Sequence, residues 1–451
     1  MSTREGAVEH ARAVAKLQAL VRIPTVSHRD PALVDTGLFD DFLAELARQF
    51  PVLHERLDLT RISTHGLLFH WRGRSADRPV VLMAHLDVVP VDEDAPWQHP
   101  AYGADLVDGA IWGRGTLDDK GSLVAICEAV ETLLERDHVP AQDVWLSFGC
   151  DEEVFGTAAP TAVAHLRAAG VRPWFVLDEG GAVAIEAFPG VAAPIGVIGV
   201  TEKGTTSLEL RVEGRGGHAS TPARNGPTAR LARAVLRLDR APMAASAPDA
   251  TVELMRRMAP HAPLALRPLL ANAARLRPVL TRALVAAGPE SAAMVRTTVA
   301  VTTLSGSPAL NVIASTAKAG VNIRIMVGDT VAGVLEHVRR TIADDQVHID
   351  VLESNEPSPV SPMGPDDEAF ALLESTIAER FPDAVPAPYV MMAATDSRFF
   401  TEICDHVYRF APFRMTKAQR QSIHSFDEHV GVDDFLDGVG WYLRLIERLP
   451  S

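Results

Sequence analysis

Three apolar runs in this chain end in side chains that can hold a metal or move a proton. VVLMA leads to His85 and Asp87, VWLSFGC to Asp151, Glu152 and Glu153, and WFVL to Asp178 and Glu179. A fourth acidic pair, Asp118 and Asp119, lies in WGRGTLDDKGS between a glycine-rich turn and the start of an expected helix. On an extended chain residues two apart face the same side, so His85 and Asp87 can touch each other or a common partner. Burying them is costly unless each finds one. A single acidic pair after a strand is commonly a solvated loop or a helix N-cap. Four such groups brought together would repel and take up protons, whereas divalent cations make the arrangement favourable. Imidazole and carboxylate ligands without clustered thiolates suit zinc, or manganese or cobalt at a similar site. His85 then reads as a metal ligand and Asp87 as the group that fixes its tautomer and ring orientation. The competing reading is a satisfied His/Asp pair closing a strand end.

The elements that must position these groups follow from periodicity. Up to about Thr201 helices alternate with strands: helices at 6–20 and 37–49, strands at 67–71 and 80–86, a helix at 121–136, a strand at 144–149, a helix at 159–169 and a strand at 174–178. This alternation implies an α/β layered sheet, in which ligands gather outside the carboxyl ends of the strands. After Gly199 the pattern changes to a compact β-α-β-β-α-β set, with an Ala/Leu/Arg-rich segment near 248–290 expected as short helices inserted into this smaller domain. SNEPSPVSPMGPDD reads as a linker, after which α/β character returns. The expected architecture is an α/β domain, a mixed sheet flanked by helices, built from 1–200 and 356–451. It is interrupted by an α+β domain over 201–355.

Bulk properties narrow the function. At 451 residues the chain exceeds one ordinary core. Acidic residues outnumber basic ones by 58 to 43, for a formal charge of −15, which disfavours a nucleic-acid or anionic-membrane surface, so neither nucleic acid nor membrane is expected as a partner. No signal peptide or membrane-spanning run is evident, and Cys127, Cys150 and Cys404 form no C-x-x-C pair, so a reduced, cytoplasmic protein is expected. GRG at 113–115 lacks the remaining residues of a phosphate loop and is followed by acid, which argues against a nucleotide site.

MAHLDVVPV, WGRGTLDDKG, GCDEEVFGT, VLDEGG, GRGGHAS, LNVIAS and IHSFDEH, in this order along nearly the whole chain, resemble peptidase family M20. GRGTLDDKGS, VTEKGT and TDSRFFTEICDHVYRF look most like its Gly-Xaa carboxypeptidase and N-acyl-amino-acid hydrolase subgroup. The resemblance implies two Zn2+ per subunit, with Co2+ or Mn2+ able to substitute. His85, Asp118 and Asp178 would bind one metal, and Asp118, Glu153 and His424 the other, so that Asp118 bridges. Glu152 would be the general base, Asp87 would orient His85, and the Asp118–Asp119 peptide would be cis. Two metals can acidify a water and polarise a scissile carbonyl.

The resemblance further implies that the smaller domain is a ferredoxin-like lid. His218 would reach the carbonyl oxygen in the transition state, in cis or from the partner of a homodimer joined through the lid. Asn311 and Arg324 would position a substrate carboxylate, as suits a forked guanidinium, with Arg398 a further candidate. The expected activity is metal-dependent cleavage of an amide bond beside a free carboxylate, in a small peptide or an N-acyl amino acid. A narrower deacylase or dipeptidase is the alternative. A noncatalytic metal-binding protein would be favoured by loss of Glu152 or His424, and both are present.

Overall fold

The computed structural model describes residues 3–188 and 190–451. Its main sheet has ten strands, and at its centre four lie side by side and parallel: Gln142–Gly149, Ser75–His85, Phe175–Asp178 and Val407–Arg409. They are apolar because both faces are covered. Val80, Val81 and Leu82 are almost wholly buried, as are Val144, Leu146, Phe175 and Val176. Parallel register brings the carboxyl ends of the strands to one edge, with His85 opposite Gly149. The loops that carry Asp87, Asp151 and Glu179 therefore leave from the same edge.

The Lys120–Glu135 helix is buried on nearly every side, from Lys120 to Leu134. It is packed against the Thr3–Val21 and Val432–Glu447 helices as well as the Ser75–His85 strand. A close approach fixes its start. A Cβ on Gly121 would stand 2.2 Å from the Thr116 carbonyl oxygen, so no larger residue fits where the helix leaves the Asp118–Asp119 pair. That peptide is cis, as the family resemblance implied.

The segment from Gly204 to Asn355 builds a second, four-stranded antiparallel sheet. Its strand order, Thr298–Ser305, Thr316–Ile325, Gly204–Glu213, His348–Asn355, is that of a split β-α-β pair. The Pro227–Arg240 and Val331–Ile342 helices lay Leu231, Leu238, Val334 and Val338 into one core with Leu208, Leu210, Val321 and Ile323. The chain then returns to the main sheet, where Val385–Met391 pairs in parallel with Ile195–Glu202.

The 248–290 segment differs from expectation. Its helices, Asp249–Met258, Arg267–Ala271 and Arg277–Ala287, do form. They pack not on the second sheet but on the main one. Leu254, Met255, Met258, Leu280 and Leu284 share a core with Ile195, Ala387 and Val191. Arg257 ties the first of these helices to Glu374 and to the Pro386 carbonyl. Periodicity in the sequence marks a buried face, and it carries no information on which sheet buries it. Leu254→Ala should therefore destabilise the fold by about 2–5 kcal/mol; equilibrium denaturation of the variant measures the loss.

Candidate metal centre

Asp118 stands between two groups of ligand atoms. Its Oδ1 is 2.9 Å from His85 Nε2, and Glu179 Oε1 lies 3.7 Å from the same nitrogen. Its Oδ2 is 2.9 Å from His424 Nε2, which is 3.0 Å from Glu153 Oε2. Within each group, His85–Asp118–Glu179 and Asp118–Glu153–His424, the ligand atoms lie within 4.8 Å of one another. One carboxylate thus faces both groups, one oxygen to each.

Each side chain is held by identifiable contacts. His85 Nδ1 lies 3.0 Å from the Asp87 carbonyl and 3.4 Å from its carboxylate, which leaves Nε2 directed at Asp118. Asp87 is fully buried and accepts from Ser27 Oγ at 2.7 Å and from the backbone N–H groups of Glu152 and Glu153, each at 3.2 Å. It orients the histidine and also clamps the loop that carries the two glutamates. Asp87→Asn should weaken metal binding about 10–100-fold, the usual effect of disturbing a ligand's hydrogen-bond partner; a chelator competition titration measures it.

The Asp118 loop has its own anchor. Glu428 is fully buried and accepts from the backbone N–H groups of Gly115, Leu117 and Asp118 at 3.0, 2.9 and 3.2 Å, and from Arg114 Nη1 at 2.6 Å. A small antiparallel sheet, pairing His429–Gly431 with Ala110–Trp112, brings this C-terminal segment to the loop. Removing Arg114 strands a buried carboxylate, so Arg114→Ala should cost about 3–5 kcal/mol in stability, read by thermal or denaturant melting.

The electrostatics are those of a site short of positive charge. Burial raises the Glu152, Glu153 and Glu179 pKa values, and the charge of Asp118 adds to the effect on all three. Hydrogen bonds to Asp118 and Glu153 raise His424 to about 10. Burial disfavours the His85 imidazolium, yet the bonds to Asp118 and Asp87 outweigh it and raise that pKa as well. Glu153 Oε1 is buried without a hydrogen-bond partner. Two imidazoles and three carboxylates, one of them with an orphaned oxygen, make a donor set that fits two divalent cations.

The other expected residues divide. Asp178 stands apart from both groups: its Oδ2 accepts the Ser397 N–H at 2.8 Å, and its neighbour Glu179 faces His85 instead. Glu152 is buried beside the cluster, and among the described residues no side chain or N–H donates to its carboxylate. His218 and Asn311 meet on an exposed two-stranded ribbon, where Ala219 N–H donates to the Asn311 carbonyl. The Ser220 N–H donates to His218 Nδ1 at 3.2 Å, and no hydrogen bond or ion pair joins His218 to the metal ligands among the described residues. Arg324 lies on the second sheet and donates to Thr205 Oγ1. Arg398 is held between the Phe155 and Phe399 rings, 4.5 and 4.7 Å from their centroids, with Nε and Nη1 buried and unpartnered.

Sequence reasoning missed the roles of Ser27, Glu428 and Asp396. Asp396 is buried against Gly149 and Glu152, with Oδ2 unpartnered. Glu428 lay in plain view in IHSFDEH, but nothing in one sequence marks an acid that serves a distant loop.

The profile of peptidase family M20/M25/M40 matches residues 81–448. "Probable carboxypeptidase S-like 2" of Dictyostelium discoideum is 35% identical over 88% of this chain and 77% of its own length. Human "N-fatty-acyl-amino acid synthase/hydrolase PM20D1" is 34% identical over 96% of this chain and 87% of its own. Among solved structures, the M20 family metallo-carboxypeptidase Sso-CP2 from Sulfolobus solfataricus superposes with a TM-score of 0.71 at 15% identity, covering 96% of this chain and 98% of that one. No helix among the described residues is long and apolar enough to cross a membrane.

Proposed function

Because this chain belongs to peptidase family M20/M25/M40, whose named relatives are carboxypeptidases and N-acyl-amino-acid hydrolases, we propose that it hydrolyses an amide bond next to a free carboxylate. The substrate is a small peptide or an N-acyl amino acid. The observation that carries the reading is Asp118, whose two oxygens face separate ligand groups beside a buried glutamate with no protein donor. In this reading His85, Asp118 and Glu179 hold one cation, and Asp118, Glu153 and His424 the other, with zinc the expected metal.

When bound, two such cations lower the pKa of a water and draw charge from the scissile carbonyl. Glu152 takes the proton of the attacking water and passes it to the leaving amine, a task suited to a carboxylate whose pKa burial has raised. Asp87 keeps His85 in the tautomer that presents Nε2. His218, with Nδ1 accepting from Ser220, keeps an Nε2–H to donate to the carbonyl oxygen as it gains charge. The second sheet acts as the lid that carries it, either by closing or across a homodimer. Arg324, with Asn311, receives the substrate carboxylate, and the unpartnered nitrogens of Arg398 offer a further cationic contact.

The test pairs metal analysis of the purified protein with detection of amines released from dipeptides and N-acyl amino acids, including N-fatty-acyl ones. Two metal equivalents and chelator-sensitive release are expected, and the panel identifies the acyl preference. Two metals without release from any member would make the substrate class wrong, and no metal uptake would sink the mechanism.

A further inference from the structure

The chain carries a formal charge of −15, yet from Ala259 to Pro289 it contains Arg267, Arg275, Arg277 and Arg282 and no acidic residue. Arg277 is paired with Asp249, while Arg267, Arg275 and Arg282 form no ion pair among the described residues. The same stretch exposes apolar side chains: Leu264 is 78% exposed, Leu266 45% and Val279 49%. The Arg277–Ala287 helix turns Leu280, Thr281 and Leu284 inward, and its outward positions are Pro278, Val279, Arg282, Ala283, Ala286 and Ala287. A surface helix ordinarily turns a mixed polar face to water. This one turns out only apolar groups and a cation.

Exposed leucines followed along the chain by guanidinium groups in no ion pair, with no acid within the segment and Asp249 at its border taken up by Arg277, match the chemistry of a lipid headgroup layer. Apolar side chains enter its acyl boundary while cations meet the phosphates. A nucleic acid would satisfy the arginines but leave Leu264 and Leu266 without partners. A second copy of this face would set arginines against arginines. We propose that the 259–289 face docks on the surface of an anionic phospholipid bilayer, embedding Leu264 and Leu266 and pairing Arg275 and Arg282 with lipid phosphates. The acidic remainder of the chain is repelled by the same surface, so it fixes which side of the molecule approaches. The inference is independent of the proposed hydrolase activity.

Co-sedimentation of the full chain with vesicles tests it. Partition onto equimolar phosphatidylcholine and phosphatidylglycerol should exceed that onto phosphatidylcholine alone and weaken as salt rises. Arg275→Ser with Arg282→Ser should lower the anionic partition coefficient about 25-fold, at roughly five-fold per arginine. Leu264→Ser with Leu266→Ser should lower it as well, with the thermal midpoint of each variant unchanged. Absence of binding to either vesicle would overturn the proposal, as would binding indifferent to both pairs of substitutions. A dimer seen by light scattering that is lost in the Leu264→Ser, Leu266→Ser variant would assign this face to a second copy instead, and would also overturn it.

Discussion

Glu152→Gln is expected to remove turnover while both metals stay bound. The substitution keeps the volume of a buried side chain and takes away only the ability to accept and return a proton. General acid–base catalysis of this kind contributes about 10²–10⁴-fold, so kcat should fall at least that far. The carboxylate of Glu152 is not among the ligand groups around Asp118, and its backbone N–H still bonds Asp87 in the variant. A neutral amide also relieves the repulsion that Asp396, Glu153 and Asp118 exert on Glu152, so the fold should not suffer. Single-turnover kinetics beside metal analysis separates the possibilities. A variant that keeps its metals and most of its rate would remove Glu152 from the base role.

The second large effect distinguishes two adjacent acids. Glu179→Ala should leave one metal equivalent where the parent holds two, and activity should fall with it, because Glu179 is the acid that completes the His85 group. Asp178→Asn should keep both equivalents. Its carboxylate accepts the Ser397 N–H at 2.8 Å and so holds the Thr395–Ser397 turn against the strand end. Loss of that support should weaken metal binding by about 10–100-fold without changing its stoichiometry. Metal content after dialysis against a graded chelator series reads both. The reverse outcome, one metal in the Asp178 variant and two in the Glu179 variant, would return Asp178 to the ligand set.

These two acids also mark where sequence reading stops. Strand ends were legible because buried parallel strands are continuous apolar runs, and the acid after each run locates the edge of the sheet. That points His85, Glu152 and Glu153 to one edge with the Asp118 loop, and the family resemblance adds His424; the structure gathers His85, Asp118, Glu153 and His424 around the Asp118 carboxylate. Which of two consecutive acids faces His85 depends on the backbone at the exit of a strand. Here Asp178 is the last residue of its strand and Glu179 the first of the turn. No periodicity encodes that difference of one residue. Glu428 was hidden for a related reason, since its partners lie more than 300 residues earlier in the chain. The β-α-β-β-α-β pattern of the second sheet was legible from alternation alone. The destination of the 248–290 helices was not, because an apolar stripe fits any apolar surface.

Those helices change the mechanics of the molecule. Two sheets joined only at Glu202–Gly204 and at the return near Pro357 would share a hinge with a single axis through the two crossings. With 248–290 seated on the main sheet, the chain crosses again on the way out, near Ala245, and on the way back, near Arg296, where the two are bridged. Lys203 Nζ donates to the Arg296 carbonyl, so an original crossing is tied to an added one. All four crossings lie together, since Ala245 bridges Arg296 and Gly204 lies against the backbone of Asn355 and Pro357. Closing of the second sheet over the main one must then bend four neighbouring chain segments at once, a hinge stiffer than two crossings alone would make.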